Sequence, residues 1–140
     1  MLEALVLTAA LHIPADGMTK QERIAESTMG FAPSLYQGKW YSEKWEDERA
    51  CIMWRESRHN YKAANKTSSA RGAYQFLDSQ WRDGLVWMML AEGGNKKDIK
   101  ALRKKPIHKW SRYYQDRAFY TAWRHGEGRN HWSLQRKECF

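Results

Sequence analysis

Trp54-Arg55-Glu56-Ser57-Arg58-His59-Asn60-Tyr61, a short polar loop, and then Arg71-Gly72-Ala73-Tyr74-Gln75-Phe76 form the stretch around which the chain is organised. Upstream, Glu46 to Glu56 contains no Gly or Pro. Ile52 and Met53 precede Glu56 at helical spacing, so a helix puts all three on one face. A carboxyl at the end of an apolar stripe is partly desolvated, and desolvation favours the protonated form that a general acid needs. Asn60, Asn65 and Gly72 end the helical pattern. Ser68, Ser69, Ala70, Gly72 and Ala73 carry little bulk, which predicts a loop that a large substrate can approach, one wall of a cleft. A solvated surface Glu beside Arg58 and His59 satisfies the same spacing, so spacing alone does not select chemistry.

Glu56-Ser57, the polar loop, Gly72-Ala73-Tyr74-Gln75-Phe76 and Trp81 together resemble the lysozyme-like lytic transglycosylases and the muralytic domains of resuscitation-promoting factors. Their common pattern is Glu-Ser, a short loop, then Gly-(Ala/Gly)-x-Gln-(Phe/Met/Ile). A second segment, Ala122-Trp123-Arg124-His125-Gly126-Glu127-Gly128-Arg129, is similar to the transglycosylase Ala-Tyr-Asn-x-Gly-x-Gly motif. Gln115 through Ala118 to Gly128 and Trp132 is similar to the closing helix and Gly-x-Trp tail of the resuscitation factors. The resemblance covers residues 46 to 135. It implies a mainly α fold, α+β at most, with one lysozyme-like helical domain and a catalytic cleft. Residues 46–140 would form the core, with 1–45 supplying N-terminal helices and an aromatic irregular segment packed on it.

Glycosidases generally need two carboxylates to break a sugar–sugar bond. Only one good candidate is visible here, because capping and dipole compensation explain Asp78 and Asp83 at a helix start. In the families that this chain resembles, one Glu protonates the bond between N-acetylmuramic acid and N-acetylglucosamine, and the N-acetyl group assists. The same Glu then deprotonates the C6 hydroxyl, giving a 1,6-anhydro product. Carried over, Glu56 is the acid and then the base, Gln75 orients the glycan, and Ser57 supports Glu56. Tyr74 and Trp81 offer stacking or packing surface. Trp123 takes the place of the motif tyrosine and Arg124 that of the usual Asn. Trp has no phenol hydroxyl, so either Tyr120, one turn earlier, replaces it or the second motif is structural. A hydrolytic muramidase of the same fold and a non-catalytic peptidoglycan-binding module are the alternatives.

At 140 residues the chain is one domain, and with 42% hydrophobic residues and eight Trp it is globular. Its formal charge of +8 asks for an anionic partner. Nucleic acid, anionic lipid and bacterial wall polymers all qualify. Lys96, Lys97, Lys100, Arg103, Lys104 and Lys105 could track a phosphate backbone or form a solvated helical face. Nucleic acid gives neither motif a role, so peptidoglycan glycan strands, with other virion proteins as further partners, are the expected contacts. The five His are scattered without ligand spacing, and no metal or other cofactor is expected. Cys51 and Cys139 are either a long-range bridge or two buried thiols. In the resuscitation-factor pattern a Cys beside the catalytic Glu pairs with one near the C-terminus. Cys139 matches the second, whereas Cys51 lies more than a helical turn before Glu56.

Residues 1–13 are apolar, but Glu3 stands where a signal peptide needs basic charge and the run is too short to span a bilayer. A buried helix ended by Pro14 is the expectation, with no signal peptide and no transmembrane segment. Thr19 and Glu22 suggest a capping box opening a short helix through Ser27. Residues 29–44 read as irregular, packed by their rings. Asp78 or Ser79 is expected to cap a helix to Ala91, with Leu77, Trp81, Leu85 and Met88 as its stripe, widened by Val86, Trp87, Met89 and Leu90. Gly93 and Gly94 stop it, and a basic helix follows from Asn95 to Lys105. After Pro106 comes a last helix from Lys109 to His125. Its row Gln115, Ala118, Phe119, Ala122, Trp123 packs, and a second row, Trp110, Tyr113, Arg117, Tyr120, faces the cleft. A wall-directed enzyme made without a signal peptide suggests a bacteriophage protein, carried in the virion or released at lysis.

Overall fold

The acidic run Glu46, Asp47 and Glu48 complements a helix N-terminus, and helix α1 (Glu46–Ser57) begins there. The computed structural model describes residues 30–132 together with Glu22, Thr28 and Cys139. The expected helices over 1–13 and 19–27 lie, apart from Glu22, outside the described residues, as does the tail over 133–138. α1 buries Arg49, Ala50, Cys51, Ile52 and Met53. It ends where Arg58 turns left-handed and sends its N–H back to the Met53 and Trp54 carbonyls.

The polar loop then leads into a minimal hairpin. Strands β1 (Ala70–Arg71) and β2 (Phe76–Leu77) pair antiparallel, Ala70 opposite Leu77 and Arg71 opposite Phe76. Ala64 adds one further bridge to Arg71. Three more helices follow: α2 (Asp78–Glu92), α3 (Lys96–Ala101) and α4 (Arg112–Trp123). The described residues are therefore mainly helical with one two-stranded sheet, as expected for the α or α+β class. No described helix is long and apolar enough to cross a membrane.

Several local expectations shift. Asn95 caps α3 by accepting the Asp98 N–H, but α3 stops at Ala101 and tightens into a 3-10 turn over Leu102–Lys104. The last helix starts at Arg112, not Lys109, because Ser111 accepts the Tyr114 N–H and fixes the start there. Neither Asp78 nor Ser79 caps α2. The cap position is Leu77, and the Asp78 carboxylate instead takes the Ile107 N–H (2.8 Å) and the Arg82 guanidinium. The buried face of α2 keeps only part of the expected stripe. Leu85, Val86 and Met89 are buried, Leu77 and Trp87 are exposed, and Trp81 is half-buried.

α4 is the central element, buried at every position from Gln115 to Trp123. The row that was expected to face a cleft is also inside: Trp110, Arg117 and Tyr120 are buried, and only Tyr113 reaches the surface. Tyr74 stacks on Phe119 (4.9 Å) and Phe119 on Trp123 (5.4 Å). Trp132 closes over Phe76 and Phe119, and its indole N–H donates to the Tyr74 carbonyl at 3.0 Å. Cys51 and Cys139 are joined in a disulfide across 88 residues, tying the C-terminal tail to α1. Residues 30–45 are irregular up to a 3-10 turn at Glu43–Trp45, and Phe31, Trp40, Tyr41 and Trp45 pack against the core.

Candidate functional site

α1 delivers Glu56 to the end of a helix whose preceding residues, Ile52 and Met53, are buried, and Glu56 itself is half-buried. The next residue makes the seam. The Ser57 hydroxyl donates to the Ala73 carbonyl (2.8 Å), with the Met53 carbonyl at 3.2 Å as a second acceptor, and it accepts the Asn60 N–H. One side chain thus clamps the Glu56 end of α1 to the 72–75 turn.

The turn is held from behind by Gln115 of α4. Its amide oxygen accepts the Ala73 N–H (2.9 Å), while its nitrogen donates to the Tyr61 and Trp110 carbonyls. Gly72 is required at this point. It sits at φ +84°, and a Cβ there would stand 2.5 Å from the Gln115 amide oxygen. The second motif has the same kind of constraint at Gly128, where a Cβ would run into the Ala122 carbonyl. Gln75 follows at φ +53°, its backbone N–H and its side-chain nitrogen both donating to the Gly72 carbonyl. Its side-chain oxygen has no hydrogen-bond partner among the described residues and can accept from a ligand hydroxyl.

Backbone strain gathers in these segments. Among the described residues, the non-glycine positions with positive φ are Arg58, His59, Gln75, Arg124 and His125. All five lie in the quoted motif stretches. A left-handed non-glycine residue costs about 1–2 kcal/mol, and such residues persist where surroundings over-determine them, often at functional sites. Here Arg58 lies over the Trp54 ring, His59 packs between Trp54 and Phe31, and His125 packs on Trp40.

Three of the expected substrate contacts are corrected by burial. Tyr74 is 1% exposed, and its hydroxyl donates to Asp116 at 2.6 Å. Tyr120 is fully buried and donates to Glu46 at 2.5 Å, and Trp123 is fully buried against Phe119 and Trp45. None offers a face to a sugar; each is a core ring. Tyr120 therefore does not replace the motif tyrosine, and the second motif acts structurally. Trp81, half-buried, sets its ring against His131 (4.3 Å) and Phe76, so packing is its visible role.

Beneath the site lies a polar network that periodicity did not reveal. Arg49 and Asp116 form an ion pair at 3.2 Å with both side chains fully buried. Arg49 also binds both Glu46 oxygens, the Tyr74 hydroxyl and the Ala32 carbonyl. Asp116 further accepts from the Tyr61 hydroxyl (2.6 Å) and the Leu35 N–H. Burial would raise the Glu46 pKa, but hydrogen bonds from Arg49 and Tyr120 outweigh it and the net shift is downward. Burial and the neighbouring Asp116 charge push Tyr61 up to about 12. Burial likewise holds Tyr74 and Tyr120 well above the ordinary phenol value. The one advance signal was Glu46 and Arg49 at i,i+3 on a helix start.

Among the described residues, no group of three or more His, Cys, Asp and Glu is placed to hold a metal ion. No family model, curated protein or solved structure matches the chain. The functional reading therefore rests on the residues and their geometry.

Proposed function

We propose that the protein is a peptidoglycan-cleaving lytic transglycosylase with Glu56 as its single acid and base. The observation that carries the reading is the Ser57 hydroxyl bond to the Ala73 carbonyl. It ties the helix end that carries Glu56 to the turn that carries Gln75, and this link between two sequence-distant motif halves supports the reading. In this reading Glu56 gives its proton to the glycosidic oxygen as the bond to the anomeric carbon breaks, and the substrate's N-acetyl group stabilises the cationic carbon. Glu56 then takes the proton of the C6 hydroxyl as that oxygen bonds to the anomeric carbon, forming the anhydro ring. Gln75 accepts a hydrogen bond from the glycan.

The engagement of the nearby acids supports a one-carboxylate mechanism. Asp78 is tied to Arg82 and Ile107, Asp116 is fully buried against Arg49, and Glu46 is bound by Arg49 and Tyr120. Each is occupied in holding structure, which leaves none of the three to direct a water. The disulfide fits an enzyme that works outside the reducing cytosol, where its substrate lies. Delivery by a phage particle or release at lysis belongs to the same proposal. The test is release of soluble fragments from purified sacculi: wild type should release them, and Gln75→Ala should slow release without loss of fold. Equal rates for the two proteins would remove Gln75 from the site, and no release by wild type would end the enzymatic reading.

A further inference from the structure

Residues 96–109 hold seven Lys or Arg and one acid, Asp98, so this segment alone carries +6 of the chain's formal +8. Its apolar residues Ile99, Leu102 and Ile107 are buried, as is Trp110 directly after it, and these anchor it. Its cations Lys96, Lys97, Lys100, Lys104, Lys105 and Lys109 are all exposed. Among the described residues none of these lysines has a carboxylate at ion-pair distance, and Arg103 meets only the exposed Asp83 at 3.7 Å. Lys96 and Lys100 stand at i,i+4 on α3, where like charges repel within a helix, and Lys104 and Lys105 add charge just beyond it. The segment therefore concentrates charge that folding does not use.

It also borders the proposed site. Ile107 N–H donates to Asp78, which directly follows the hairpin, and Arg82 donates to the Arg103 carbonyl at 3.1 Å. Ile107 packs beside Gly72, in the turn that carries Gln75.

We infer that this basic face is a docking surface for the carboxylates of the peptide stems that recur along a peptidoglycan strand. The inference rests on the proposed activity and names the part of that substrate the face would hold. A glycan strand held near Gln75 brings its stem carboxylates past the neighbouring hairpin, and exposed lysines are point charges suited to mobile carboxylates. Aromatic rings that would stack nucleic-acid bases are absent from the exposed residues of 96–109.

The experiment is co-sedimentation of the full chain with sacculi stripped of other anionic polymers, in a Glu56→Gln background so that the sacculi persist. Replacing Lys96, Lys97, Lys100 and Lys104 together by Gln should weaken binding about tenfold at low salt and flatten its salt dependence. Converting the stem carboxylates to neutral amides should weaken the parent protein by a similar factor and leave the lysine variant unchanged. Binding indifferent to both changes overturns the inference. A duplex oligonucleotide bound tightly through the same lysines, with amidated sacculi bound as well as native ones, overturns it in favour of nucleic acid. Fragment release by the protein with its native Glu56 is scored separately. Charge-dependent binding without release would discard the catalytic proposal and keep this surface, and release with charge-independent binding would do the reverse.

Discussion

Helix α1 carries a glutamate near each end, and the two live in different chemistry. Glu46 is locked by Arg49, Tyr120 and the Ser34 N–H, with its net pKa shift downward. Glu56 sits half-buried at the rim, beside a serine that clamps the Gln75 turn. One carboxylate is used up in holding α1 against α4. The other, in the proposed mechanism, is the group that exchanges a proton with the glycan. Charge type and helix alone do not separate them; which part of the fold each end of α1 meets does.

The sharpest way to break this contrast is to exchange each for its amide. Glu56→Gln should lower fragment release on the order of a thousandfold. Glu46→Gln should lower the unfolding free energy by about 1–3 kcal/mol, seen as a lower urea midpoint, and leave the rate per folded molecule near wild type. Urea melts and initial rates on the two proteins check this, and a reversed pattern would move the chemistry to the wrong end of α1. Next in size is the staple near the middle of the helix. Cys51→Ser should cost about 4 kcal/mol in the chain-entropy model, because an 88-residue separation is no longer closed in the unfolded chain. A denaturant midpoint unchanged from wild type would show that the tail needs no tether.

The interior end should also respond to pH on both sides. Glu46 has a folded-state pKa below its unfolded one, so its contribution is present above about 4.3 and is lost as pH falls through the folded value. Tyr61 is raised to about 12, so its contribution is present below about 10 and is lost as pH rises toward 12. Phenolate absorbance should show Tyr61, Tyr74 and Tyr120 titrating only as the protein unfolds. Early titration of all seven tyrosines in the folded protein would dissolve the network. Smallest is the clamp itself. Ser57→Ala should cost about 1 kcal/mol in thermal unfolding and slow fragment release several-fold through misplacement of the Gln75 turn.

The sequence made the helices legible where apolar spacing and breakers agreed. α1, the stop at Gly93 and Gly94 and the buried row of α4 follow from residue pattern. It misled wherever a polar residue lies inside. Asp78 looked like a cap because Asp favours helix starts, yet its bond to Ile107 N–H comes from a residue 29 positions away. Arg49, Asp116 and Arg117 are buried charges, which hydrophobic periodicity assigns to the surface by construction. Tyr74 and Trp123 were read as sugar contacts from motif position, but rings in such a dense aromatic stack are core. Glu56, Ser57 and Gln75 were grouped by the resemblance of their motif, and the structure adds the bond from the Ser57 hydroxyl to the Ala73 carbonyl, which joins the two segments. Cys51 and Cys139 were left open by spacing, and the structure joins them in a disulfide.

Everything turns on whether one carboxyl acts without a second acid to activate water. Mass analysis of fragments released from sacculi decides this most directly. A lone Glu56 working by proton donation and return requires fragments one water lighter than those with reducing ends, and none from Glu56→Gln. Fragments from wild type bearing ordinary reducing ends would mean that water attacks, and with it that another residue does work here assigned to none.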